Sequence, residues 1–210
     1  MDLNGKIVLV TGSTDGVGRL VARRLAVQGA RVLIHGRDRH RGKQVVDQIQ
    51  AAGHGSAVFL PADLSSLAEV RRFADLVRRD CDRLNVLINN AGIGSGGAGG
   101  KRETSLEGYE LRFAVNYLAG FLLTRLLLPL MMAGKPARIV NVSSLGQHPL
   151  DFDDVMLTHG YTGGRAYAQA SCPRSCSRLT SHANSILRRS RRIVCIRLPT
   201  WRQRWCGRVG

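Results

Sequence analysis

Residues 6–11, Lys-Ile-Val-Leu-Val-Thr, run directly into the glycine-rich segment Gly12-Ser13-Thr14-Asp15-Gly16-Val17-Gly18. Val17, Leu20, Val21 and Leu25 then recur at helical spacing, and Gly29 closes the stretch. This reads as a short β-branched strand, a tight turn and an amphipathic helix. Glycines at such a junction let the backbone turn sharply and come close to a pyrophosphate, which the helix N-terminus stabilises. A plain glycine-rich turn is the bland alternative; the strand before it and the helix after it favour dinucleotide binding.

The alternation continues down the chain. Strand-like runs at 31–35, 56–63, 85–92 and 137–144 are separated by helix-compatible segments at about 39–52, 66–79 and 105–133, with a glycine loop at 92–100. Near-continuous apolar strands alternating with helices predict a parallel sheet covered on both faces. The expected fold is α/β, a Rossmann-like doubly wound parallel sheet whose C-terminal part is incomplete. No repeat at solenoid period is present.

Length and composition agree with one α/β domain: 210 residues, 44% hydrophobic and 22% charged, which excludes a disordered or collagen-like chain. No apolar run was expected to reach the length of a membrane span, and no basic-then-apolar leader precedes the first strand, so a cytoplasmic location is expected. Lys+Arg 31 against Asp+Glu 15 gives +16, a balance that ordinarily suggests an anionic partner. The charge is uneven. Residues 170–210 hold ten arginines and no acidic residue, which leaves 21 basic and 15 acidic residues in 1–169. The same tail carries Cys172, Cys176, Cys195, Cys206, Trp201 and Trp205.

At the spacing TGxxxGxG the chain resembles the short-chain dehydrogenase/reductase family. The resemblance covers residues 6–169 and rests on motifs in one order. These are the turn itself, Asp63-Leu64 after the third strand, Asn89-Asn90-Ala91-Gly92 after the fourth, Asn116 in the long helix, Ser143-Ser144 after the fifth strand, and Tyr167. It implies NAD(P)-dependent hydride transfer between an alcohol and a carbonyl, with a small-molecule substrate and a homo-oligomer in the intact family. Tyr167 matches the family's general acid/base, Ser144 the group that hydrogen-bonds the substrate oxygen, and Asn116 the anchor of a proton-relay water. Gly12, Ser13, Asp15, Gly16, Val17, Gly18, Asp63, Leu64, Asn90, Ala91 and Gly92 match cofactor-binding positions; no metal ligand is implied. Read singly, Ser143 and Ser144 are also an ordinary strand end, and Asn116 an ordinary buried helix polar group.

NAD-selective sites place an acidic side chain at the end of the second strand, to accept the ribose hydroxyls. Here that strand ends His35-Gly36-Arg37, with no acid before Asp38. Arg37 suits a 2′-phosphate, so NADP is favoured over NAD; a solvated surface arginine is the alternative. The segment 145–166, with Asp151-Phe152-Asp153-Asp154 and Tyr161, lengthens the interval between Ser144 and Tyr167 and resembles the retinol-dehydrogenase-like branch. It is expected to line the substrate mouth, or else to be plain surface.

The resemblance breaks after Gln169. The family motif is YxxxK, and in the family the lysine helps a tyrosine, ordinarily of pKa about 10, to exchange protons near neutrality. Here Tyr167 is followed by Ala168, Gln169, Ala170 and Ser171. Codons compatible with Gln169 to Pro173 admit a simple account. Restoring one lost nucleotide after Gln169 lets them read Gln-Ser-Lys-Leu, with the lysine in place. The same frame allows an amphipathic helix over 174–186 and a proline-containing cofactor loop over 192–201.

The tail is therefore read as out of frame, dividing the chain into a dinucleotide-binding domain at 1–169 and a non-homologous Arg/Cys-rich segment at 170–210. Two consequences are expected: impaired catalysis and a fifth strand left as an unpaired edge. The alternative function is a non-enzymatic, basic nucleic-acid- or phosphate-binding protein acting through Arg188-Arg189, Arg191-Arg192, Trp201 and Trp205. A zinc site from Cys172, Cys176, His182 and Cys195 lacks the paired CxxC of structural sites.

Overall fold

The computed structural model describes residues 2–96, 100–176 and the strand 193–198. Strands β1 (Ile7–Val10), β2 (Arg31–Gly36), β3 (Ser56–Pro61), β4 (Val86–Asn89), β5 (Arg138–Ser144) and β6 (Ile193–Leu198) form one sheet in the order β3-β2-β1-β4-β5-β6. Every pairing is parallel. The chain winds outward from β1 through β2 to β3, then returns to place β4 on the other side of β1. That reversal opens a crevice beyond the carboxyl ends of β1 and β4, where ligands bind in open α/β sheets.

Alternation along β1 shows how the sheet is covered. Ile7 and Leu9 join Leu33, Leu87 and Ile139 in one core, with Phe73 and Val77 of α3 (Leu67–Asp80) and Leu123, Leu127 and Met131 of α5 (Ala119–Ala133). Val8 and Val10 join Val32, Ile34 and Ile88 in the other core. There they meet Ala22 and Ala26 of α1 (Gly16–Val27) and Val45 and Ile49 of α2 (Arg39–Ala51). Successive strand residues point to opposite faces, so a strand buried on both reads as continuous apolar sequence.

Four expectations are corrected. The long helix begins at Leu111 rather than near 105, because Thr104 and Glu110 pair as an antiparallel bridge. In α1, Val17 and Leu20 are exposed, and Gly18, Ala22 and Ala26 face the sheet. The phosphate-type turn brings α1 so near β1 that small residues make the contact.

The third correction concerns β5. Its outer edge is paired with β6 from Ile139↔Ile193 to Ser144↔Leu198, and α6 (Gly163–Cys176) runs past the point where the motif breaks. Ile193-Val194-Cys195-Ile196 is a short apolar run with three β-branched residues, well suited to satisfy an open parallel edge. His182, Arg188-Arg189, Arg191-Arg192, Trp201 and Trp205 lie outside the described residues.

By length and composition the helical stretch Leu111–Ala133 is sufficient to cross a membrane, contrary to expectation. Its buried residues Ala119, Leu123, Leu127 and Met131 recur every four positions within the core shared with the sheet. That is the stripe of a helix packed on one face.

Candidate functional site

The turn between β1 and α1 is assembled from three sides. Gly12 has φ +64°, and a Cβ there would lie 2.9 Å from Ala91 Cα. A Cβ on Gly18 would lie 2.2 Å from the Gly12 carbonyl oxygen. Only hydrogen fits at either position, so the turn and the segment after β4 form a cradle whose backbone a phosphate can approach. Thr11 locks the two together. Its Oγ1 accepts the N–H groups of Asn90 (2.9 Å) and Ala91 (3.0 Å) and donates to the Ile88 carbonyl. The Asn90 amide donates in return to the carbonyls of Thr11 and Gly12. Asp15 caps α1 by accepting Gly16 N–H at 2.8 Å. Ser13 is fully buried, with its hydroxyl on the Val10 carbonyl, so it shapes the turn from within. Val17 and Gly92 are exposed beside it.

His35, the penultimate residue of β2, holds the turn from the third side. Its Nδ1 accepts the Gly12 N–H at 3.0 Å, and its own N–H donates to Ser13 Oγ at 2.9 Å. The ring packs against Phe73 with centroids 4.6 Å apart. Burial pushes its pKa down from 6.5 to about 4, so near neutrality the imidazole is uncharged and Nδ1 remains an acceptor.

Beyond β2 several charged side chains lie close together. Arg37 projects into solvent, its side chain 64% exposed and 3.8 Å from Asp63. Asp38 is committed elsewhere: it caps α2 by accepting the Arg41 N–H at 3.0 Å and pairs with the Arg41 guanidinium. Those backbone hydrogen bonds, led by the one from Arg41, lower its pKa. Arg41 also bonds Asp15 at 3.1 Å, which brings a second cation to the phosphate turn. Asp63 accepts the Ser65 N–H at 2.9 Å, and Leu64 is buried behind it.

The other half of the site lies beyond β4 and β5. Ser144 ends β5, nearly buried, with its Oγ accepting the Gly146 N–H at 3.2 Å. Tyr167 stands on the second turn of α6, partly exposed. Ser143 Oγ donates to the Ser171 carbonyl at 3.0 Å, tying the end of β5 to the helix that carries Tyr167. Ser171, at the position of the family's lysine, is buried and donates its hydroxyl to the Tyr167 carbonyl at 2.8 Å.

Asn116 sits in a π-helical turn, Ala114–Leu118, joining α4 (Leu111–Phe113) to α5. Its Oδ1 accepts the Ile93 N–H at 2.8 Å and its Nδ2 donates to the Ile93 carbonyl at 3.0 Å. Its amide therefore grips the segment after β4. Such π-turns often occur at functional positions in helices.

The segment 145–162 is fastened to α6 along its length. His148 N–H donates to the Ala168 carbonyl, Gln169 bonds both Asp151 and Val155, and Arg165 bonds Asp151 at 3.0 Å. Within it, Asp154 accepts the N–H groups of Thr158 and His159, which hold its carboxyl at about 2.

A glycine-rich turn with two arginines beside it and the end of β5, where Ser144 stands, thus lie at the carboxyl ends of the parallel strands, and α6, which carries Tyr167, is tied to β5 through Ser143. The sequence profile of the short chain dehydrogenases matches residues 6–151. The chain belongs to the short-chain dehydrogenase/reductase family. Mouse polyprenol dehydrogenase (Mus musculus) is 41% identical over 173 residues, covering 79% of this chain and 50% of that protein. Human retinol dehydrogenase 12 is 36% identical over 173 residues, covering 81% of this chain and 54% of that one. The chain therefore spans about half the length of the curated relatives it matches. Among solved structures, a metagenomic short-chain oxidoreductase in complex with NADP superimposes with a TM-score of 0.71 at 32% identity, over 94% of this chain and 81% of that one. The Pseudomonas aeruginosa RhlG/NADP complex gives a TM-score of 0.69 at 31% identity, over 88% and 69%.

This member of the short-chain dehydrogenase/reductase family thus combines a glycine turn packed against the segment after β4 with a tyrosine helix that carries serine at the position of the family's lysine. Sequence reasoning did not single out Arg41 or the bond from Gly12 to His35 as parts of the site. Arg41 lies three positions beyond the acid that caps its own helix, a pattern common on solvated helix faces. His35 reads as one more strand residue until the neighbouring turn is folded over it.

Proposed function

We propose that this chain provides an NADP(H)-binding oxidoreductase site for a small-molecule alcohol or carbonyl, with catalysis impaired at the tyrosine helix. The observation that carries the reading is the Gly12–Gly18 cradle pinned by Thr11 and Asn90, at the same sheet end as Ser144 and Tyr167. The absence of a Cβ at Gly12 and Gly18 fits the close approach of a pyrophosphate. Gly12, Gly16 and Gly18 hold the phosphates in this reading, Asp63 and Leu64 the adenine side, and Asn90–Gly92 the middle of the dinucleotide. Arg37 and Arg41 take a 2′-phosphate, and the engagement of Asp38 with Arg41 supports NADP over NAD.

When bound, the nicotinamide supplies or accepts the hydride. The chain supplies the proton: the Tyr167 hydroxyl gives it to, or takes it from, the substrate oxygen, which Ser144 Oγ orients. Asn116 keeps the segment after β4 in place. With serine at position 171, this position of α6 brings no cation toward the Tyr167 hydroxyl, so turnover is slow. The names of the relatives support an apolar alcohol of the polyprenol or retinol kind, and exposed Leu145 and Phe152 on the 145–162 segment suit an apolar substrate mouth. The test is titration of the chain with NADPH and NADH by nicotinamide fluorescence. Tighter NADPH binding supports the reading; tighter NADH binding overturns the cofactor choice, and binding of neither overturns the site.

The out-of-frame reading of residues 170–210 belongs with this proposal. It accounts for Ser171 and for the excess of arginine in one step. Reading the DNA across the codons for Tyr167 to Cys172 tests it, and an intact, expressed locus with the tail in frame refutes it.

A further inference from the structure

Two charged side chains are buried away from Ser144 and Tyr167. Glu110 and Arg112 have side chains 1% and 5% exposed and form an ion pair at 3.5 Å. Burying such groups is costly unless each is paired and its hydrogen bonds are satisfied. Here they are extensively satisfied. Arg112 Nε donates to the Gly94 carbonyl at 3.0 Å, one terminal nitrogen to the Ser95 carbonyl at 3.2 Å, and the other to the Tyr161 hydroxyl at 2.7 Å. The Tyr161 hydroxyl donates to Glu110 Oε1 at 3.2 Å, while Glu110 Oε2 accepts the Phe113 N–H at 2.7 Å.

Asn116 lies four residues beyond Arg112 and holds the Ile93 carbonyl. Two side chains one helical turn apart therefore hold three successive carbonyls, those of Ile93, Gly94 and Ser95. The first turn of α6 closes the other side: a Cβ on Gly163 would lie 1.8 Å from the Ser95 carbonyl oxygen. A buried ion pair is poor support for stability as such, since apolar residues of similar volume often serve as well. What this one adds is a connection. It joins the segment after β4 to Tyr161, the end of the 145–162 segment and six residues before Tyr167.

We propose that Arg112, with Glu110 and Tyr161, is a positioning node that couples the substrate wall to the nicotinamide side of the cofactor crevice. The inference rests on the dinucleotide reading of that crevice. Because linkage is reciprocal, ordering of residues 93–96 by cofactor orders the wall, and a wall held by substrate tightens the cofactor segment.

The experiment uses the full chain, Tyr161→Phe and Arg112→Lys. Tyr161→Phe deletes one hydroxyl and leaves the ion pair. Arg112→Lys keeps the charge but loses the planar fork that reaches three partners. Hydrogen exchange of peptides covering 93–96 and 154–162 is followed with and without NADPH, and affinities are measured for NADPH and for adenosine 2′,5′-bisphosphate, which lacks the nicotinamide half.

In the parent, NADPH slows exchange in both peptides. In Tyr161→Phe the protection of 93–96 persists and that of 154–162 is lost. Arg112→Lys weakens NADPH about fivefold or more, the size of a typical coupling free energy, and leaves the bisphosphate within about twofold. Retained protection of 154–162 in Tyr161→Phe, or equal weakening of both ligands in Arg112→Lys, overturns the node. If the parent binds neither ligand, the crevice reading fails. Ligand-free exchange then decides the node: faster exchange at 93–96 in Tyr161→Phe supports it, and an unchanged rate overturns it.

Discussion

Ser171 donates its hydroxyl to the carbonyl of Tyr167, one helical turn earlier, at 2.8 Å. The side chain at the lysine position of the family motif thus serves the backbone of its own helix and brings no charge to the crevice. Ser171→Lys is expected to raise NADPH-dependent carbonyl reduction by about a hundredfold, the lower end of the range for positioned acid–base catalysis. Adding Tyr167→Phe to that variant should remove the gain. Steady-state rates on a simple apolar aldehyde check this, and equal rates for the parent and Ser171→Lys would show that position 171 does not limit the reaction.

His35 makes folding sensitive to acid. Its folded pKa of about 4 lies below the ordinary 6.5, so between those values the unfolded chain binds the extra proton and stability rises with pH. The contribution is fully present above pH 6.5 and is lost as the pH falls toward 4. At about 1.4 kcal/mol per pKa unit it amounts to about 3 kcal/mol. Urea denaturation of the parent and His35→Gln at pH 7.5, 5.5 and 4.5 should show a steeper acid loss in the parent. Parallel curves would remove His35 from the account.

Arg37 and Arg41 should discriminate between the two nicotinamide cofactors. Arg37→Ala is expected to weaken NADPH by about tenfold, from the loss of a charge-assisted contact, and to leave NADH nearly unchanged. Arg41→Ala should act in the same direction. It also loosens the cap of α1, because it releases Asp15. Fluorescence titration with both cofactors separates the two effects.

Gly18→Ala places a methyl group 2.2 Å from the Gly12 carbonyl oxygen, which is backbone and has little room to yield. We expect loss of measurable NADPH binding and a destabilisation of about 1–3 kcal/mol, the usual cost of overpacking. Gly164→Ala, where a Cβ meets nothing within 4 Å, is the matched control and should leave binding unchanged.

Strand and helix order were legible in the sequence because β1, β2 and β4 are buried on both faces and the first five strands are connected through helices, so periodicity alternates with little ambiguity. Gly12 and Gly18 were legible as a turn between a strand and a helix, whereas Asn90, Ser144 and Tyr167 stood out through the family resemblance and not through local spacing. Other features depended on residues far apart in the chain. Residues 105–110 are polar and helix-compatible, yet the bridge from Thr104 to Glu110 and the docking of Glu107 onto the start of α3 hold them out of the helix. The pairing of β5 with β6 followed the same logic, because an open parallel edge accepts an apolar strand from a segment that the family resemblance did not cover.

The sequence by itself determined the parallel α/β class, the glycine turn between β1 and α1 and the serine at position 171, all of which are local patterns read within a few dozen residues. Tertiary structure decided that His35 grips Gly12, that Arg41 meets Asp15, and that Arg112 reaches Gly94, Ser95 and Tyr161. Those bonds join residues 17 to 49 positions apart, or residues whose local pattern suits plain surface or core. Only when the sheet brings the ends of β1, β2 and β4 side by side do these groups find one another.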